Sequence, residues 1–571
     1  MKIPYGESHF KKIRTGDYLY IDKTRYIQKL EEQGCFNILL RPRRFGKSLL
    51  LSTIQHYYDI NEKGHFESLF FGLHIGDNPT PLKNKYQVLF MEFSGIADTD
   101  AKTVEQEFRL EIQKRLCDFL RRYSYPAESL QQVKAAPSAA SSMKIFFSWT
   151  EDANIYLMID EYDHFANSIL GSSLERFREV VGRGGFMRSF YETIKTGTME
   201  GIVDRFFITG VTSITLDSMT SGFNIGENIT HHRLFNQVLG FTEEETESIV
   251  EPLARNCALD RIALMNDLKR WYNGYLFSDE RTERVYNADM VLYFAKNFNR
   301  ETCAYPKTML DDNIASDYKK IMQLFGIGDR AANFTTLEKL ITNGEIIGLH
   351  SRKLSADKKF EQNDFIALLL YMGFVTITGT LLNRLRYGIP NYVIQKLYYD
   401  YFKEEIEQRA KISISKDAIE NAVAELALYN NIKPLTEEIG KVLALFSNRD
   451  FMNMDEKHIK AVILTLFYQS EAYFIRSEPE VNNRYPDILL LERSPFAMPN
   501  QFLFELKFCK KKDGKKGWEQ KKEEGTRQVQ EYLTLKDVSA LPKLRSYLLL
   551  TDGSEIEATE VALSFSTFKN K

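Results

Sequence analysis

The sequence predicts an α/β protein in three parts: an N-terminal parallel sheet with flanking helices, a helical and winged-helix-like middle region, and a C-terminal α/β domain. Three observations carry this. A strand–loop–helix holds Gly46-Lys47-Ser48, an apolar strand ends in Asp160-Glu161, and Asp487 precedes a Glu505-x-Lys507 strand. The expected division is 1–240, 241–445 and 446–571.

Length and composition set the bounds. At 571 residues the chain exceeds the roughly 100–200 residues of one domain. Lys plus Arg number 75 against 78 Asp plus Glu, a net charge of −3, so any nucleic-acid binding must use a local patch. The five cysteines are scattered without C-x-x-C or paired spacing, which indicates neither a zinc site nor a disulfide framework and fits a reducing cytoplasm. Met1 to Phe10 lacks the apolar stretch of a secretory signal, and the uncharged run Ile366 to Leu382 is interrupted by glycines and threonines, so no membrane span is expected.

Tyr5 to Glu32 is aromatic-rich and contains Asp22-Lys23-Thr24, a capping signal for a helix that either lines the adenine side of a nucleotide site or is an ordinary domain helix. Ile38 to Leu40 is the apolar strand leading into the loop, and Ser48 to Tyr58 is the helix leading out. In that setting backbone N–H groups and the Lys47 ammonium face the β- and γ-phosphates of ATP, and the Ser48 hydroxyl can ligate Mg²⁺. Arg43, Arg44, Phe45, Gly46, Lys47, Ser48 and Leu49 are the expected nucleotide-binding stretch of a P-loop NTPase, the alternative being a coincidental surface turn. Arg41 stands where the usual loop has its first glycine, so Arg41-Pro42 must set the approach, and Arg43 and Arg44 make the loop unusually cationic.

Gln87 to Phe93 reads as a strand followed by a long charged helix, and Ala135 to Ser142 as a small, turn-prone surface loop. Asn154 to Asp163 has the continuous apolar run of a parallel strand buried on both faces. Its carboxylates fall where α/β sheets bind ligands: Asp160 would hold Mg²⁺ beside Ser48, and Glu161 would polarise the attacking water. In the strand Arg205 to Ser213, Thr209 or Thr212 either senses the γ-phosphate or belongs to an ordinary strand end. Arg183, Arg188, Arg205 and Arg233 all remain candidates for an arginine finger, and a homo-oligomer stays open.

Thr242 and Glu245 form a capping-box pattern that opens a mainly helical stretch. Phe365 to Met372, then Phe374 to Ile377 and Leu382 to Tyr387, reads as a helix plus hairpin, a winged-helix-like lid that packs on the ATPase or touches DNA. Beyond Ser447 come one helix and three strands. In the last of these, Phe504-Glu505-Leu506-Lys507, the two-residue period puts Glu505 and Lys507 on one face and the apolar residues on the other. With Asp487, two carboxylates can hold Mg²⁺ against a scissile phosphate while the lysine activates water or stabilises charge. Gln528 and Tyr532 lie one turn apart on a following helix, and Lys510 to Lys516 is either a phosphate patch or a solvated loop.

The strings Ile3-Pro4-Tyr5-Gly6, Tyr20-Ile21-Asp22-Lys23-Thr24, Leu40-Arg41-Pro42-Arg43-Arg44-Phe45-Gly46-Lys47-Ser48-Leu49, Ile159-Asp160-Glu161-Tyr162-Asp163 and Ile208-Thr209-Gly210-Val211 resemble the bacterial AAA-ATPase-like proteins fused to a C-terminal PD-(D/E)XK nuclease-superfamily domain. The resemblance covers nearly the whole chain. It implies a restriction-endonuclease-like C-terminal domain with Asp487, Glu505 and Lys507 at the nuclease positions, Gln528 as the accessory helix residue and Glu478 as a further acid. It also implies ATP and Mg²⁺ as cofactors and a nucleic acid as partner. Asn483-Arg484-Tyr485-Pro486 stands where such proteins often carry Gly-Arg before the aspartate.

Overall fold

A computed structural model describes residues 2–96, 101–219, 223–349, 354, 359–447, 455–477 and 486–563. Glu478 and Asn483 to Tyr485 lie outside the described residues. By packing, the chain forms two units: residues 1–298, 309–340 and 345–393, and residues 299–308, 341–344 and 394–571. The helices after residue 393 thus belong by packing to the unit of the C-terminal sheet, which begins well before residue 446.

In the first unit five strands, β1 (Phe36–Leu40), β2 (Gln87–Glu92), β3 (Ile155–Asp160), β4 (Val203–Gly210) and β5 (Glu227–Asn228), form a parallel sheet in the order β2-β3-β4-β1-β5. Parallel strands connected through helices are covered on both faces, and every residue of β3 is accordingly buried. The order places β4 between the phosphate-loop strand and the acidic strand. Leu39 pairs with Thr209 on one side of β4, and Ile159 pairs with Ile208 on the other. Helix Lys47–Tyr58 packs against β2 and β3, and helix Phe186–Met199 against β4.

One expected loop is helical. Helix Ala127–Ala135 is followed almost at once by helix Ala139–Trp149, whose N-cap Ser138 accepts from Ser141 N–H. The Gln113 side-chain amide donates to the Ala136 carbonyl at 2.9 Å, and Ala136 is buried. Small residues mark a close helix–helix turn here, where composition alone suggested solvent.

The capping box at Thr242 and Glu245 is present at the start of helix Glu243–Asn256. Helix Gln362–Met372 leads into a hairpin, and three strands, β6 (Glu345–Gly348), β7 (Thr376–Leu381) and β8 (Arg384–Gly388), pair antiparallel in the order β6-β8-β7. The helix-plus-hairpin reading therefore holds, with β6 as an added strand. No helix among the described residues is long and apolar enough to cross a membrane.

In the second unit β9 (Tyr473–Ser477), β10 (Ile488–Glu492), β11 (Gln501–Phe508), β12 (Leu544–Thr551) and β13 (Ile556–Glu560) form a mixed sheet in the order β13-β12-β11-β10-β9. Only β11 and β12 run parallel. Helix Glu456–Phe467 packs on β11, and helix Gly514–Leu533 packs on β11 and β12. Leu489, Leu503, Val529, Tyr532 and Leu548 form a core under the second of these helices. Gly525 permits that approach, because a Cβ there would lie 2.4 Å from Leu548 and 3.0 Å from Lys507. Cys35, Cys117 and Cys509 are free thiols.

Candidate nucleotide and nuclease-type sites

Gly46 caps helix Lys47–Tyr58 in the left-handed region at φ +96°, a conformation that favours glycine. The first intrahelical bond runs from Leu50 N–H to the Gly46 carbonyl, so the N–H groups of Lys47, Ser48 and Leu49 have no partner within the helix. Lys47 is buried and donates to the carbonyls of Arg41 at 3.0 Å and Pro42 at 2.9 Å. Burial lowers its pKa, against the pull of Glu161, Asp160 and Asp163. The ammonium is thus already dehydrated inside the curl of its own loop.

Arg41 points elsewhere. Its guanidinium is 1% exposed, donates to the carbonyls of Leu40, Thr230 and Phe235, and lies 4.0 Å from the centre of the Phe277 ring. Burial brings its pKa down to about 9. In place of glycine, the loop is clamped by a cation bonded to backbone.

A cavity of about 410 Å³ opens over the loop, lined by Arg43 to Leu50, by Glu161 and His164, and by Tyr20, Ile21 and Lys23 from the N-terminal segment. This is within the range of small-molecule sites. All seven expected loop residues line it. The expected cationic character is reduced, because Arg44 donates to Asp317 Oδ2 at 2.9 and 2.5 Å and to Asp289 Oδ2 at 3.1 Å. Both carboxylates line the same cavity. Burial raises the pKa of Asp289, with the attraction of Arg44 opposing it.

The acidic strand ends behind this cavity. Asp160 is 2% exposed; its Oδ1 accepts from the Thr209 hydroxyl at 2.5 Å and from Glu161 N–H at 3.0 Å. Glu161 lines the cavity, whereas neither Asp160 nor Thr209 is among its lining residues. Asp163 is fully engaged, accepting from the N–H groups of Val211 and Thr212, the Thr212 hydroxyl and the Asn167 amide.

In the second unit the pairing of Ile488 with Phe504 carries the register to Asp487 opposite Glu505. Asp487 Oδ2 accepts from Leu506 N–H at 2.8 Å, and its Oδ1 from Lys460 Nζ at 3.0 Å. Glu505 Oε1 accepts from Lys507 Nζ at 2.7 Å. Glu505 is 3% exposed, and its Oε2 is buried with no hydrogen-bond partner among the described residues. Burial, then the neighbouring Asp487 charge, push the Glu505 pKa up to about 7 against the pull of Lys507. Burial disfavours the charge on Lys507, but attraction to Glu505 outweighs it and the pKa is raised. Gln528 Oε1 is likewise buried without a partner among the described residues.

Two residues at this site were not anticipated. Lys460 pairs with Asp487, and Glu456, one turn earlier on helix Glu456–Phe467, interacts with both Lys507 and Asp487. Burial raises the Glu456 pKa; Lys507 opposes and Asp487 adds to the shift. An i, i+4 Glu–Lys pair on the helix before the sheet was the available signal, and it is common on solvated helices. Asp289 and Asp317 had no signal at all, lying far from Arg44 along the chain.

Among the described residues no group of three or more His, Cys, Asp or Glu side chains is arranged to hold a metal ion. The two-carboxylate site nevertheless suits a divalent cation, since Glu505 keeps an unpartnered buried oxygen beside Asp487.

The parallel sheet with its glycine-capped loop, and the mixed sheet with its Asp…Glu-x-Lys set, define two classes of domain. Residues 4–220 match the family model described as Predicted AAA-ATPase, and residues 454–560 that described as PD-(D/E)XK nuclease superfamily. The chain therefore carries an AAA-ATPase-like domain and a PD-(D/E)XK nuclease-superfamily domain. It is also 31% identical over 305 residues to an uncharacterized protein in the vnfD 5' region of Azotobacter chroococcum mcd 1, a match covering 52% of each chain. The chain thus spans about half the length of that relative.

Proposed function

We propose that residues 1–240 bind and hydrolyse ATP, and that this nucleotide state, relayed through residues 241–445, governs a Mg²⁺-dependent nuclease in residues 446–571 that acts on DNA or RNA. The observation that carries the ATP half is the loop itself: a buried lysine, and helix N–H groups without an intrahelical partner, beside a cavity of about 410 Å³. The N–H groups of Lys47, Ser48 and Leu49 and the Lys47 ammonium would hold the β- and γ-phosphates, Ser48 and Asp160 would hold Mg²⁺, and Glu161 would accept a proton from the attacking water. Thr209 would hold Asp160 in place through its hydroxyl.

For the nuclease half, Asp487 and Glu505 would hold the metal, which when bound supplies charge neutralisation at the scissile phosphate and a more acidic water. Lys507 would stabilise the charge that develops, and Gln528 would contact the substrate or the water. Purified chain with Mg²⁺ and ATP is expected to hydrolyse ATP and to cleave single- or double-stranded nucleic acid. Glu161→Gln should lose the first activity and Glu505→Ala the second. Should no substrate be cut and Glu505→Ala behave like the parent, the nuclease half fails.

One observation favours a second reading. Asp487 and Glu505 are each already paired with a lysine, Lys460 and Lys507. A domain that binds nucleic acid or a partner under nucleotide control, without cleaving it, would keep those pairs. Nucleic-acid binding that responds to Lys47→Ala, with no cleavage in Mg²⁺ or Mn²⁺, selects this reading.

A further inference from the structure

The turn after the acidic strand sorts its side chains into two groups. Glu161 takes φ +49°, and His164 N–H donates to the Glu161 carbonyl at 3.0 Å, closing four residues into a tight turn. The middle pair is consumed by the interior: Tyr162 is fully buried with its hydroxyl on the Thr212 carbonyl, and Asp163 is surrounded by donors. The outer pair, Glu161 and His164, lines the cavity shared with Lys47 and Ser48.

His164 differs from the other inward-facing histidines. The His56 ring bonds to the Ser52 carbonyl and the His231 ring to that of Phe277, each through Nδ1 at 2.7 Å. His164 Nδ1 is buried and has no hydrogen-bond partner among the described residues. Burying an N–H without an acceptor is avoided in folded proteins. The ring proton is therefore favoured on Nε2, and that N–H is the donor left for a ligand.

We propose that His164 is a phosphate-binding residue whose Nε2–H donates to an oxygen of the terminal phosphoryl group of a bound nucleoside triphosphate. It would distinguish triphosphate from diphosphate and support the charge that builds during hydrolysis. The inference rests on the nucleotide reading of the loop and adds a residue to it.

The test compares His164→Ala, His164→Gln and Lys47→Ala in the full chain, by equilibrium binding of a non-hydrolysable ATP analogue and of ADP and by steady-state hydrolysis. A hydrogen bond to a charged group predicts that His164→Ala loses roughly ten- to a hundredfold in kcat and in preference for triphosphate over ADP. Its ADP affinity should stay unchanged, and Gln, whose side-chain amide can donate, should restore part of the loss. Unchanged kcat and preference in His164→Ala, or an equal loss for ADP, overturns the proposal. If nucleotide binding depends on Lys47 while His164 variants match the parent, only the histidine assignment fails; if the parent binds neither nucleotide, the loop reading fails with it.

Discussion

In the first unit the central cation, Lys47, rests on two loop carbonyls, and the acids behind it are held by Thr209 and by backbone N–H groups. In the second unit Glu505 keeps an oxygen without a partner among the described residues, and its pKa is raised to about 7. The difference follows from how each site is made. In the phosphate loop the lysine is held by backbone carbonyls before a ligand arrives, while the N–H groups of Lys47, Ser48 and Leu49 stay without an intrahelical partner. The acidic pair is side chain against side chain, brought together by the β10–β11 register and covered by a helix; Lys460 and Lys507 each bond one oxygen of it, and among the described residues the second Glu505 oxygen is left for a proton or a cation.

The sharpest way to break this contrast is to remove the clamp on the loop. Arg41→Ala should cost about 3–5 kcal/mol in stability, because a buried cation with three carbonyl partners is lost and the acceptors stay behind; thermal or denaturant unfolding measures it. Close unfolding midpoints for parent and variant would mean the loop is held by something else.

Lys47→Ala tests whether the loop is a ligand site. Loss of a charged phosphate contact should weaken ATP binding by about a hundredfold, or about 3 kcal/mol, read by calorimetry or fluorescence.

For the acidic pair, the folded pKa of Glu505 lies above its unfolded value, so the folded state holds the proton more tightly. The resulting stability is present below about pH 4.3 and is lost as pH rises through about 7. Relative to Glu505→Gln, the parent should lose on the order of 3 kcal/mol across that window. At pH 8 Mg²⁺ or Mn²⁺ should raise the parent's unfolding temperature and leave that of Glu505→Gln nearly unchanged. Parallel stability–pH curves would remove the repulsion from the argument.

The smallest effect belongs to Arg44. Asp317→Asn should change stability by less than about 1 kcal/mol, since the pair is partly solvated. By freeing positive charge at the cavity it should tighten ATP binding a few-fold.

Much of this was legible in local pattern. The apolar runs of β1 and β3 were readable because a strand covered on both faces needs continuous apolarity, and Gly46 because its left-handed turn favours glycine. The Thr242–Glu245 box depends on residues three apart. Ala135 to Ser142 misled because small residues serve exposed turns and tight helix contacts alike, and only the neighbour, Gln113, tells them apart. On β11 the two-residue period was right, yet it did not reveal that the Glu505 face is buried too, since the covering helix is set by Gly525 and Val529 further along the chain.

The sequence by itself determined where a phosphate-binding turn, a carboxylate-ended strand and an Asp…Glu-x-Lys set occur, because each is written in residues a few positions apart. The tertiary structure decided that Arg44 belongs to Asp289 and Asp317, that Arg41 is a clamp, that Lys460 meets Asp487, and that Glu505 is buried. Charge pairing and desolvation act through space, and folding joins partners that no local spacing connects.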